Sequence, residues 1–237
     1  MGLRTMTRFF FRKIPKDDPV IFDVYRLRYK VYCEEWGFEK PEDHPGKQET
    51  DEYDQHSIHL GAFSQEDGNL IGTIRLILNS ELGFPIDRHC TFDTDISSLD
   101  RNRIAEISRL AVSKEYRKRA VDKLIYNNGE PDPLQRKEAR DIQEKRKQEF
   151  FIIMGLYICM YMESSKMGLT HWFAVMANGL SILLKRMKIQ FTPIGPEVEY
   201  HGRRIPYIGA IDDIVSKVAT EQPEAFQSYK RSIVGGQ

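Results

Sequence analysis

Arg103-Ile104-Ala105-Glu106-Ile107-Ser108-Arg109-Leu110-Ala111-Val112 is the stretch on which the fold turns. Ile104, Ile107, Leu110 and Val112 supply the β-branched and aliphatic bulk of a buried strand. Glu106 and Arg109 sit in its middle, where a charge is costly unless it is paired or put to use. Strict alternation sends these two side chains to opposite faces, because they stand three residues apart. A one-residue bulge between them would bring both to one face. Bulges of that kind re-aim side chains and free backbone N–H groups beside active sites.

Upstream, residues 70–78 read as an apolar strand whose central Arg75 demands a counter-charge. The turn Gln65-Glu66-Asp67-Gly68-Asn69 pairs it with a strand at 57–63. His56 and His59 flank that strand and read as hydrogen-bonded edge or core residues rather than catalysts. Before it stands an acidic patch, Glu49-Thr50-Asp51-Glu52-Tyr53-Asp54. Further back, Asp17 or Asp18 caps a helix with Pro19 just inside it. Val20, Val24, Leu27 and Val31 form its apolar stripe, and Tyr25, Arg28 and Tyr32 lie on the neighbouring one. Gly37 closes the helix, and a short strand at 8–14, ended by Pro15, precedes it.

Downstream, residues 79–102 are turn-rich, and Ser113 caps a helix with basic residues in its first turns. Residues 127–133 break that helix, 135–148 form a charged one, and 149–166 a buried one. A strand at 169–176, a helix at 178–187, a strand at 188–193 and a last strand at 205–211 come next, with Tyr200-His201-Gly202-Arg203 as a tight turn. Asp212 and Asp213 cap a C-terminal helix, and Pro223 opens another. No repeat or linker divides the chain, which reads as a single α/β domain over 1–237 with a mixed sheet.

Lysine plus arginine equals aspartate plus glutamate at 35 each, so no global field points to nucleic acid. The apolar run 150–162 is too short to span a bilayer, and no signal peptide is visible. Cys33, Cys90 and Cys159 are scattered without metal-ligand spacing, so no metal and a reduced, cytoplasmic setting are expected. The unusual charges, Arg28, Asp51, Asp54, Arg75, Glu106 and Arg109, all stand near apolar elements. As a group they suggest a polar cleft beside a sheet, or an internal ion-pair network that satisfies itself.

Leu27-Arg28-Tyr29-Lys30-Val31-Tyr32, the acidic patch at 49–54, Gly72-Thr73-Ile74-Arg75-Leu76 and Glu106-Ile107-Ser108-Arg109-Leu110-Ala111-Val112 resemble the acyl-homoserine-lactone (autoinducer) synthases. Tyr32-Cys33-Glu34-Glu35, Gly37-Phe38-Glu39 and Asp54-Gln55-His56-Ser57-Ile58-His59 are closer still to the PEP-CTERM/exosortase-system-associated acyltransferases, relatives that include N-acyl amino acid synthases. The resemblance covers residues 20–120. It implies the GNAT fold, a mixed sheet splayed open around the bulged strand and flanked by helices, and a bacterial role near exosortase systems. Autoinducer synthases carry a tryptophan six residues after the helix aromatic. Here Phe38 stands at that position and Trp36 two residues earlier, which sets S-adenosylmethionine use in question. The glycine-rich pyrophosphate loop of ordinary GNAT enzymes is replaced by Tyr116-Arg117-Lys118-Arg119, so an acyl carrier protein is favoured over coenzyme A as donor. Arg117, Lys118 and Arg119, with Arg136, Lys137 and Arg140, suit its acidic surface, although a solvated basic helix explains the last three equally well.

The expected reaction is N-acylation of an amino acid by a long-chain acyl thioester, with no resident cofactor. Glu106 is the candidate base, and backbone N–H groups near Leu110 to Val112 the candidate oxyanion donors. Arg28, Arg75 and Arg109 are candidates to hold the substrate carboxylate, with Asp51 and Asp54 orienting them or touching the amine. Tyr32 and Trp36 are assigned to the substrate pocket. Residues 150–162 and 169–176 are candidates to line an acyl tunnel, core packing being their alternative. Two rival readings stand: an autoinducer synthase using S-adenosylmethionine, and a non-catalytic acyl-carrier or lipid-binding regulator.

Overall fold

A computed structural model describes residues 8–116 and 139–233, with side chains in the helix that starts at 139 described from residue 147. Strand β1 (Phe9–Ile14) leads into helix α1 (Ile21–Tyr29), which continues as a π-helical turn over Lys30–Glu35. Strands β2 (Ser57–Ser64) and β3 (Leu70–Leu78) form the expected hairpin. A short helix α2 (Pro85–His89) and a 3₁₀ turn precede β4 (Ile104–Val112), the strand with the two central charges. Helix α3 (Ala139–Lys166) fuses the two helical segments expected there. Strand β5 (His171–Met176), helix α4 (Asn178–Arg186), β6 (Thr192–Pro193), β7 (Val198–Glu199), β8 (Arg203–Ala210), α5 (Ile211–Glu221) and α6 (Pro223–Arg231) complete the chain.

The sheet runs β1-β2-β3-β4-β5-β8-β6, with β7 paired to β8. Its first four strands are antiparallel, β4 and β5 are parallel, and the remainder is antiparallel again. Helix α3 covers one face. Phe9 and Phe11 of β1 meet Phe151, while Gly155 lets the helix approach so closely that a Cβ there would stand 2.0 Å from the Phe11 ring. On the opposite face a second apolar cluster joins Ile77, Ile104 and Phe173 to Phe84 and Ile86 at α2. No helix among the described residues is long and apolar enough to cross a membrane.

Two expectations need correction and a third is untested. The strand expected at 188–193 shrinks to Thr192–Pro193, because Lys188 takes a left-handed φ of 69° as α4 ends and Pro193 supplies no N–H to a ladder. Asp212 and Asp213 lie inside the first turn of α5 rather than capping it, where the helix dipole still favours them. Ser113 opens a turn through Tyr116, and the helix expected beyond it lies outside the described residues.

Two irregularities position the site. Arg75 pairs with Ser108 and Thr73 with Ala111, so Arg109 and Leu110 together oppose Ile74. That is a bulge, one position later than the sequence suggests, and Arg109 sits in it at a left-handed φ of 51°. The second is a splay. β4 and β5 pair from Ile104 with His171 to Ile107 with Ala174, then part, leaving β4 from Ser108 onward with no strand partner on that side among the described residues.

Candidate active site

A cleft of about 1000 Å³, the open solvent of its mouth included, fills the gap between β4 and β5. Glu106, Ser108, Arg109 and Leu110 wall it from β4, Arg75 from β3, and Ala174 to Met176 from β5. The π-helical turn carries Tyr32 to this wall; such turns insert an extra residue and rotate the side chains beyond it. The Tyr32 hydroxyl donates to the Leu110 carbonyl at 2.8 Å and its ring lies under the Arg109 guanidinium, so one phenol braces both residues of the bulge. Burial pushes the Tyr32 phenol up to about 12, which keeps that donor protonated.

Seven charged side chains form one network behind and along the wall. Arg28 is fully buried; its Nε donates to Glu49, and its two terminal nitrogens grip Asp54 at 2.6 and 3.1 Å. Arg75 donates to Ser108 through Nε at 2.9 Å, to Asp54 at 2.8 Å, and to Asp51 through Nη2 at 2.8 Å. Arg109 donates to Glu49 at 3.0 Å, Glu39 at 2.9 Å and Asp51 at 3.2 Å. Asp51 and Asp54 are held a second way by a reciprocal capping box, in which Asp51 accepts the Tyr53 N–H and Asp54 accepts the Asp51 N–H. The network is therefore rigid, and Arg28 and Arg109 hold the Glu49 carboxyl down to about 2 against its own burial.

Arg28 and Asp54 do not line the cleft, and neither do Trp36 and Val112. Arg28, a candidate substrate ligand in the sequence, and Asp54 lie behind Arg75, where Arg28 holds Glu49 and Asp54 as a buried brace. Trp36 stacks on Phe38 at 6.2 Å, and Phe38 takes the position at the cleft wall. Val112 is buried and back in register opposite Gly72. Glu106, Arg109, Leu110, Tyr32, Asp51 and Arg75 do come together around the cleft. Arg117, Lys118, Arg119, Arg136 and Lys137 lie outside the described residues, as does the side chain of Arg140.

Glu106 stands apart from the network. It is 3% exposed, its Oε2 accepts the Ile86 N–H at the start of α2 at 2.9 Å, and no cation forms an ion pair with it within 4 Å among the described residues. Burial raises its carboxyl to about 8, with the Ile86 N–H and the Arg75 charge pulling the other way. A carboxyl in that range exchanges protons near neutrality, as a general base or acid must.

Sequence reading missed Glu39, Glu49 and Ser108 as members of the site, although all three lie inside stretches that carried the resemblance. Tyr157 of α3 and Ala174 to Met176 of β5, from the two segments expected to line an acyl tunnel, do line the cleft, whereas Leu180 from α4 and Tyr200, His201 and Arg204 from the β7–β8 turn were missed. Among the described residues no cluster of His, Cys, Asp and Glu is arranged to hold a metal ion.

Residues 27–127 match the model of the acetyltransferase (GNAT) domain, and the bulge and the β4 side of the splay fall inside that match. The chain has a GNAT-like fold. No curated protein sequence is similar enough to count as a match. Among solved structures, the GNAT-like chain is similar to the CoA-dependent acyl-homoserine lactone synthase BjaI bound to MTA, at 14% identity and a TM-score of 0.60, over 94% of this chain and 98% of that one. TofI in a ternary complex with an inhibitor and MTA gives 15% identity and a TM-score of 0.59, over 93% and 96%. FeeM, an N-acyl amino acid synthase from uncultured soil microbes, gives 15% and 0.55, over 91% and 97%. At these identities the likeness is one of fold, and it extends over nearly the whole of each chain.

Proposed function

We propose that this GNAT-like protein is an N-acyltransferase that moves a long-chain acyl group from a carrier thioester to the α-amine of an amino acid. The observation that carries the proposal is Glu106, a buried carboxyl raised to about 8 on the wall of an open cleft beside a bulged, splayed strand. An amine acceptor arrives as an ammonium. The polar wall offers it acceptors, because the carboxylates of Glu39 and Asp51 line the cleft.

Glu106 takes the ammonium proton, directly or through a water. The freed nitrogen attacks the thioester carbonyl carbon, and the C=O electron pair moves onto oxygen. Backbone N–H groups of β4 past the splay, near Leu110 and beyond, are the donors proposed for that oxyanion. The oxyanion then folds back to C=O and the C–S bond breaks; the nitrogen, cationic since the attack, gives its second proton to solvent, and the leaving thiolate takes the first from Glu106, whose value lies close to that of a thiol. The acyl chain lies along the apolar wall of Leu110, Tyr157, Met176 and Leu180. An acyl carrier protein is the proposed donor, received by the basic residues at 117–119; coenzyme A is the alternative, in line with the description of BjaI as CoA-dependent.

The test is product analysis by mass spectrometry of the purified protein supplied with acyl carrier protein and coenzyme A thioesters and a panel of amino acids. N-acyl amino acids are expected. A lactone formed from S-adenosylmethionine points instead to the autoinducer reaction, and carrier binding without turnover to a regulator.

A further inference from the structure

In the proposed reaction the acceptor nitrogen loses two protons, and Glu106 takes the first. The second departs after the attack, from a nitrogen already bonded to the acyl carbon. A group that carries it away must line the cleft, offer a lone pair there, and be open to water. His201 of the β7–β8 turn lines the same cleft as Glu106, and its side chain is 30% exposed. Among the described residues it is the one histidine on that wall, and imidazole is the side chain best suited to exchanging protons near neutrality.

The ring is set by its neighbours. Its Nδ1 lies 2.9 Å from the Phe38 carbonyl oxygen, and a carbonyl only accepts, so Nδ1 carries the hydrogen. The lone pair of the neutral ring is therefore on Nε2. That nitrogen stands 3.6 Å from Oε1 of Glu39, a carboxylate on the cleft wall that would face the imidazolium once it forms. The same Oε1 accepts from Arg109 Nη2 at 2.9 Å, which sets His201 across from the bulge. Tyr200, the preceding residue, stacks on His89 of α2 at 4.1 Å, while the Ile86 N–H of α2 donates to Glu106. One short helix thus braces both the base on β4 and the turn that carries His201.

We infer that His201 is a second catalytic proton acceptor, whose Nε2 takes the proton of the newly acylated, cationic nitrogen and passes it to water at the mouth of the cleft. This rests on the N-acylation reading and completes its proton balance. Ammonium and thioester become amide, thiol and one released proton, with Glu106 returning the first proton to sulfur and His201 discharging the second.

His201→Asn and His201→Gly separate proton transfer from bracing. Both residues accept the left-handed φ of 51° at this position, and an Asn amide can still donate to the Phe38 carbonyl. Steady-state kinetics, with amino acid and thioester varied in turn, are expected to show kcat lowered about 100-fold in both variants, with the KM values and melting temperatures held. Added imidazole is expected to restore turnover in His201→Gly, where the space of the ring is vacant, in proportion to the free base present. Wild-type turnover in His201→Asn overturns the assignment, because bracing alone then suffices. A loss in His201→Gly that imidazole leaves in place overturns it as well. In either case the N-acylation reading stands, whereas a wild type that acylates no amine removes both.

Discussion

A glutamate that titrates near 8 leaves a signature in both activity and stability. As the proposed base, Glu106 must be ionised, so kcat/KM is expected to rise with pH up to about 8. Glu106→Gln keeps an acceptor for the Ile86 N–H and should fold, yet lose roughly 100- to 10,000-fold in turnover. Stability runs the other way. Between the ordinary value of 4.5 and about 8 the unfolded chain releases this proton while the folded chain keeps it, so stability falls as pH rises through that window and is level above it. Glu49, held down to about 2, contributes stability above 4.5 that is lost as pH falls toward 2. Melting temperatures across pH should show both slopes in the wild type and only the acid-side slope in Glu106→Gln. Arg28 yields a different signature, because it touches no cleft. Arg28→Met leaves Glu49 and Asp54 buried without their cation and should cost about 3–5 kcal/mol in denaturant unfolding. A variant of normal stability with a raised KM for the acceptor would return Arg28 to the role of substrate ligand.

At the scale of the element, helix α3 is seated by an absence. Gly155 lies where a Cβ would meet the ring of the fully buried Phe11, so Gly155→Ala should destabilise the fold by about 1–3 kcal/mol, and adding Phe11→Leu should recover much of that loss. Most elements were legible in the sequence because each carries its own period: the stripe of α1, the β2–β3 hairpin with its turn, and the apolar run of α3. The bulge was legible from two charges three residues apart, but its position was not, since register depends on the partner strand and on a backbone angle at Arg109. Trp36 and Phe38 were hard to separate for a similar reason. The π-helical turn changes which of them reaches the wall, and no local pattern announces it. Glu49 lay in full view within the acidic patch, where one carboxylate looks like the next until the fold shows which of them a buried arginine selects.

The whole molecule divides its labour between two halves. The seven members of the ion-pair network come from before residue 110, whereas Tyr157, Leu180, Tyr200 and Arg204 reach the cleft from α3, α4 and the β7–β8 turn. Of the second group only Tyr157 lies in a segment the sequence pointed to, the apolar run 150–162; Leu180, Tyr200 and Arg204 are brought there only by the order of the strands. Tyr157 has a further position. It lines the cleft and also a small apolar pocket enclosed by Met154, Trp172, Ile189, Ile214 and Phe226, so its ring is the shared wall. Tyr157→Leu should join the two spaces and move the preference toward longer acyl chains, read from the product lengths with a mixture of thioesters. An unshifted length distribution would separate that pocket from the acyl site.

The parting of β4 from β5 carries one more consequence. A free sheet edge ordinarily invites foreign strands, and proteins blunt it with charge, proline or a covering loop because it seeds aggregation. Here the side of β4 beyond Ile107 faces a cleft that Tyr200, His201, Arg204, Phe38 and Glu39 also line. The fold thus spends that stretch of sheet edge on lining a cleft of small-molecule size instead of on pairing with a further strand of the described sheet.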